Sequence, residues 1–120
     1  MKYSERNIIL EKSIQFSLDI IKYVELLEQN KKYVIANQLL KSGTSIGANL
    51  HEAQQSESKK DFIHKLKIAS KEIEETKYWL MLCERAEQYP NCVKLQEDLV
   101  EIAKILNKII STIKLNSVND

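Results

Sequence analysis

Turn-forming residues are nearly missing from this chain: two glycines, Gly43 and Gly47, and one proline, Pro90, serve 120 residues. A β-sandwich or barrel needs a turn signal every 8–12 residues or so, which excludes an all-β fold and leaves an all-α one. Long apolar runs are missing too. The longest clean one, Trp79 to Cys83, falls far short of the ~20 residues a membrane span requires, and the N-terminus carries lysines and glutamates instead of an apolar signal core. A cytoplasmic protein that does not enter membranes is the expectation. In that compartment Cys83 and Cys92, which flank Pro90, are expected as reduced thiols. A charge excess of one sign is the last absence. Eighteen basic and seventeen acidic residues leave a net charge of +1, so the molecule lacks the positive field of a non-specific nucleic-acid binder, and any such binding must come from a local patch.

Helical periodicity fills the chain. Ser4 or Asn7 can cap a first helix that runs to about Glu28, with two apolar stripes on nearly opposite sides. Leu10, Ile14, Leu18, Ile21 and Val24 form one; Ile9, Phe16, Ile20, Tyr23 and Leu27 form the other. A second helix, from about Tyr33 to Gln55, turns Ile35, Leu39, Ile46, Leu50 and Ala53 to the core, with Ala36, Gly43 and Gly47 as a small-residue strip at its edge. Ser58, with Asp61 three residues on, reads as the N-cap of a third helix striped by Phe62, Leu66, Ala69, Ile73, Thr76, Leu80 and Cys83. Ile68, Trp79 and Ala86 fall on another of its faces. After the turn at Pro90, a fourth helix from about Asn91 to Leu115 carries Leu95, Leu99, Ile102, Ala103, Leu106, Ile109, Ile110 and Ile113. The pattern describes one domain over residues 1–115, an antiparallel up-down-up-down four-helix bundle, followed by a disordered tail at 116–120.

Glycine in a helix interior costs about 1 kcal/mol relative to alanine, so Gly43 and Gly47 mark a surface kept bare for close approach of another backbone. The second apolar faces of the first and third helices exceed what a monomeric bundle buries. They predict a homo-oligomer, with Phe16, Ile20, Tyr23, Ile68 and Trp79 as interface candidates.

Some polar residues do not follow from periodicity. Ser42-Gly43-Thr44-Ser45-Ile46-Gly47-Ala48-Asn49-Leu50-His51-Glu52-Ala53, then Ser58-Lys59-Lys60-Asp61-Phe62-Ile63-His64-Lys65-Leu66 and Lys71-Glu72-Ile73-Glu74-Glu75-Thr76-Lys77-Tyr78-Trp79-Leu80, resemble a bacterial four-helix-bundle family. Its members were first noticed in reading frames within intervening sequences of large-subunit ribosomal RNA genes. The resemblance implies a small bundle assembling into a ring, commonly of five subunits, with an RNA-related role. A more distant similarity is to the accessory variability determinant of diversity-generating retroelements, a basic ring that partners a reverse transcriptase and nucleic acid. The net charge of +1 departs from that relative. His51 stands where the family commonly has a small residue and Ala53 where it has glycine, while the Ser45, Asn49 and Glu52 positions are kept.

Asn49 and Glu52, at i and i+3, can both face the third helix, where Lys65, Glu72, Glu75 and Thr76 are candidate neighbours; with Ser45 they form a candidate polar cluster. Such a cluster either binds a ligand or, more simply, satisfies its own hydrogen bonds and sets helix register. Lys41, Lys59, Lys60, Lys65, Lys67 and Lys71 are the candidate nucleic-acid patch. Residues 57–71 hold five lysines against Glu57 and Asp61, an excess that a ring would multiply. The enzymatic readings each lack half of a constellation. Glu72 and Glu75 with Glu52 could hold magnesium for nucleotide hydrolysis, but no partner motif exists; Asp61 and His64 have the spacing of half a di-iron site; Cys83, Cys92, His51 and His64 lack paired zinc spacing. The expectation is a non-enzymatic scaffold without cofactor or metal. Its partners would be itself and RNA or an RNA-associated protein, the alternative being a protein-protein scaffold that binds no nucleic acid.

Overall fold

The computed structural model describes the backbone of residues 3–119 and the side chains of residues 6–116. Helix boundaries follow local chemistry. α1 (Tyr3–Gln29) begins ahead of both expected caps, Ser4 and Asn7, and ends where Lys31 takes a left-handed φ of 63°. There the Lys32 amide donates to the Leu27 carbonyl and the Lys31 amide to that of Glu28, which satisfies carbonyls the helix end would otherwise leave bare. α2 (Tyr33–Ala53) starts almost at once. α3 (Lys59–Arg85) is capped as its sequence predicts: Ser58 is extended, and its hydroxyl accepts from the Asp61 amide at 3.0 Å. Asn91 Oδ1 accepts from the Val93 amide at the start of α4 (Val93–Asn119). α4 runs four residues beyond the expected end at Leu115, so helix replaces the expected disordered tail as far as Asn119; Asp120 lies outside the described residues.

The helices occupy the corners of a rod of 53 × 22 × 20 Å, each with its backbone close to those of its two neighbours, while side chains also reach across the diagonal, as where the Arg6 guanidinium of α1 lies 5.2 Å over the Phe62 ring of α3. Side-chain pairs give the directions. Gly43 meets Ile20 and Gly47 meets Ser13, so α2 runs against α1; Ser42 meets Thr76 and Glu52 meets Lys65, so α3 runs against α2. Lys12 meets Glu101 at 2.6 Å and the Tyr23 hydroxyl donates to the Pro90 carbonyl at 2.6 Å, so α4 runs against α1. The result is the antiparallel four-helix bundle expected from periodicity.

The core corrects one expectation. Phe16, Ile20 and Tyr23 are buried inside the subunit with Ile9, Val24 and Leu27, and they are therefore not available as an oligomer interface. The opposite stripe of α1 faces outward, with Ile14, Leu18 and Ile21 at 42, 49 and 40% exposure. The reason is steric. A Cβ on Gly43 would lie 2.9 Å from Ile20 Cγ1, and one on Gly47 would lie 3.3 Å from Ser13 Oγ. The bare strip of α2 accepts the Ser13/Ile20 side of α1 and so sets its rotation. Leu66, Ala69, Ile73, Thr76, Leu80 and Cys83 of α3 and the α4 stripe complete the core, while Ile68 and Trp79 remain half-buried at its margin.

Gly43→Ala should destabilise the fold by about 1–2 kcal/mol, as overpacking strain against the stiff, fully buried Ile20 outweighs the roughly 1 kcal/mol gained in helix propensity. Gly47→Ala should stay within about 1 kcal/mol of wild type, because its new contact is looser. Urea denaturation reads both; equal effects at the two positions would contradict this packing account.

Candidate functional site

The residues singled out from sequence divide between two surfaces. Along the α2/α3 seam, Lys41, Ser45, Asn49 and Glu52 follow one side of α2, and Ile68, Glu72, Glu75 and Trp79 recur at spacings of 4, 3 and 4 on one side of α3. Several of these polar groups have local partners. The Ser45 hydroxyl donates to the Lys41 carbonyl at 2.6 Å, and Asn49 Nδ2 donates to the Ser45 carbonyl at 2.8 Å. Lys65 Nζ lies 3.3 Å from Glu52 Oε2, and Trp79 Nε1 donates to Glu75 Oε1 at 3.4 Å. Burial raises the Glu72 carboxyl above its ordinary range; the charge of Glu75 adds to the rise and Lys41 opposes it.

Beneath the seam sits a pair that the sequence reading did not join. The buried hydroxyls of Ser42 and Thr76 lie 3.0 Å apart, and Thr76 Oγ1 also reaches the Glu72 carbonyl at 2.7 Å. The signal for it was present in sequence: Ser42 falls three residues after Leu39 and four before Ile46, on the core side of α2, and Thr76 interrupts the apolar stripe of α3. Two small hydroxyls facing each other at a helix crossing fix which turn of α2 meets which turn of α3.

The lysines do not form one patch. Lys60, His64, Lys67 and Lys71 recur at spacings of 4, 3 and 4 on the outward side of α3, and Lys59, Lys60 and Lys67 surround a shallow concavity with Ile63 and His64. Lys65 is turned toward Glu52, and Lys41 lies on α2 near Glu72. Five of the six candidates lie in the first half of α3, and four of them, Lys59, Lys60, Lys67 and Lys71, are exposed there away from the Lys65–Glu52 pair.

At the far end of the bundle, Cys83 and Cys92 are both free and buried around the Tyr23 hydroxyl, and burial raises both thiols and the phenol. Thiols held in the protonated form are poor nucleophiles. Among the described residues, no three His, Cys, Asp or Glu side chains converge as a metal site would require, and no helix is long and apolar enough to cross a membrane.

A four-helix bundle with a polar-lined α2/α3 seam and a lysine-bearing α3 defines a class of small all-α proteins. Within that class, residues 5–108 match the 23S rRNA-intervening sequence protein family, and the chain belongs to it. Among solved structures it resembles a protein of unknown function from the S23 ribosomal protein family of Bacteroides thetaiotaomicron, at 43% identity and a TM-score of 0.84 over 89% of this chain and 98% of that one. No curated protein matches. Neither the family nor this relative carries the name of an enzyme.

Two measurements test the seam as structure. Thr76→Val, which strands the buried Ser42 hydroxyl, should destabilise by about 1–2 kcal/mol, and the Ser42→Ala/Thr76→Val double variant should lose less than the sum of the singles. Additive losses would show that the hydroxyls do not act together. For Glu72, a folded-state pKa above the unfolded one means stability is fullest at acid pH and declines as pH rises from the unfolded value through the folded one. Glu72→Gln should accordingly raise the melting temperature at pH 7 and have no effect below the ordinary carboxylate range. A lowered melting temperature at pH 7 would mean that the Lys41 attraction dominates.

Proposed function

We propose that the chain is a non-enzymatic, cytoplasmic, self-associating scaffold whose α3 face binds the phosphate backbone of RNA. The observation that carries this reading is the line of exposed Lys60, Lys67 and Lys71 with His64 between them, beside a concavity that includes Lys59. Phosphate chains respond to summed local charge, and several subunits in a ring would repeat the face. The ribosomal RNA in the family's description supports the choice of RNA. The exposed aliphatic stripe of α1 supports self-association, because monomers seldom leave such a row uncovered. The locally satisfied hydrogen bonds of the α2/α3 seam support a structural role for Ser45, Asn49 and Glu52. A protein-protein scaffold is the second reading, favoured by half-buried Trp79 packed edge-on to exposed Tyr78 at 5.5 Å beside that seam.

Filter binding to a structured RNA should show log affinity falling linearly with log salt, and Lys60→Glu with Lys67→Glu should weaken binding by about tenfold or more at low salt. No affinity at low salt would reject the RNA reading in favour of the protein scaffold.

A further inference from the structure

Two apolar surfaces lie on opposite flanks of the bundle. The Ser13 and Ile20 contacts place α2 on one side of α1, and the Lys12–Glu101 pair places α4 on the other. Ile14 and Ile21 follow Ser13 and Ile20 by one residue, a 100° step away from Lys12, so with exposed Leu18 and half-buried Leu10 they form a stripe on the α1/α2 flank. On the opposite flank an open groove of about 520 Å³ separates α3 from α4. Leu80 and Leu99 floor it, half-exposed Val100 lines its mouth, and Lys77, Arg85 and Lys104 stand on its rim with the acids Glu74 and Glu84. Glu84 is held by Gln96 Nε2, which donates to it at 2.6 Å across the groove.

We propose that the α1 stripe of one copy docks in the α3/α4 groove of a second copy, with the two bundles side by side and parallel. This specifies the partner surfaces of the self-association proposed above and rests on it. The dimensions agree: Leu10 to Ile21 spans roughly 16 Å of helix, and the groove follows α3 from Ile73 to Arg85, roughly 18 Å. The heights agree as well. Lys12 is level with Glu101, and Tyr23 is level with the α3–α4 turn, so Glu25 stands at the Arg85 end of the groove and Glu11 near its Lys104 end. A closed ring whose axis runs along the bundles has no axial rise, and these heights carry over directly from one copy to the next. Charge then complements shape. Glu11, Glu25 and Glu28 border the stripe with the single cation Lys22, while on the rim that receives it Lys77, Arg85 and Lys104 outnumber Glu74 and Glu84. Because stripe and groove are unlike surfaces, the contact repeats head to tail from copy to copy, and a ring in which that repeat closes leaves neither face bare.

Sedimentation equilibrium on the full chain tests this with Glu25→Arg and Arg85→Glu. Both positions are exposed, so circular dichroism should be unchanged. Each single reversal should weaken association by about tenfold or more, and the double variant should return to within about threefold of wild type, since it restores an opposite-charge pair at every contact. A double variant as weak as the singles would overturn the docking. So would a loss of association with Leu18→Asp while Arg85→Glu and Val100→Asp associate normally, which would mean that the stripe pairs with itself. A wild-type chain monomeric at every concentration would reject self-association and this docking together, whereas normal association by the groove variants would reject the docking alone.

Discussion

The structure depends on the contact between α1 and the bare strip of α2. Gly43 offers no side chain, and Ile20 lies where a Cβ would be; one turn further on, Gly47 offers none to Ser13. Glycine in mid-helix weakens the helix, so the strip is tolerated for the packing it permits. The fit selects the rotation of α1. Phe16, Ile20 and Tyr23 go inward, Ile14, Leu18 and Ile21 are left on the outside, and Leu10 is half-buried at the edge of the core. Everything proposed about association follows from that outward row.

On its other side α2 uses polar chemistry. The Ser42–Thr76 hydroxyl pair is buried at the α2/α3 crossing, and at the rim Glu52 meets Lys65 at one end while Lys41 approaches Glu72 nearer the other. Apolar stripes alone tolerate a slip along the helix axis, because leucine and isoleucine fit many neighbours. Hydroxyls that must find each other do not. α2 is thus seated by shape against α1 and by hydrogen bonding against α3, while α4 closes the bundle through its long aliphatic stripe and leaves an open groove beside α3.

Much of this was legible in the chain. The scarcity of glycine and proline, the Ser58 cap, the turn at Pro90 and the stripes of α3 and α4 are local signals, and each is read from a few neighbouring residues. The polar seam was legible in part: Asn49 and Glu52 were placed toward α3, and Lys65 was among the partners expected for them. Ser42 was missed as a partner of Thr76 because a lone serine on a core face has no meaning until its opposite position is known. The lysines were legible as a charge count but not as a surface. Helix phase sends Lys65 toward Glu52 and leaves Lys60, Lys67 and Lys71 in line on the outward side.

By itself, the sequence determined four helices, their approximate ends and their order around one core, because periodicity and caps act within a turn or two of the chain. It could not decide which stripe of α1 is buried. Ile9, Phe16, Ile20, Tyr23 and Leu27 are matched by Leu10, Ile14, Leu18, Ile21 and Val24, and hydrophobicity gives no preference between such sets. Only the tertiary structure decided it, because the choice turns on steric fit between Ser13, Ile20 and two glycines more than twenty residues away, and that contact exists only once α2 has folded back along α1.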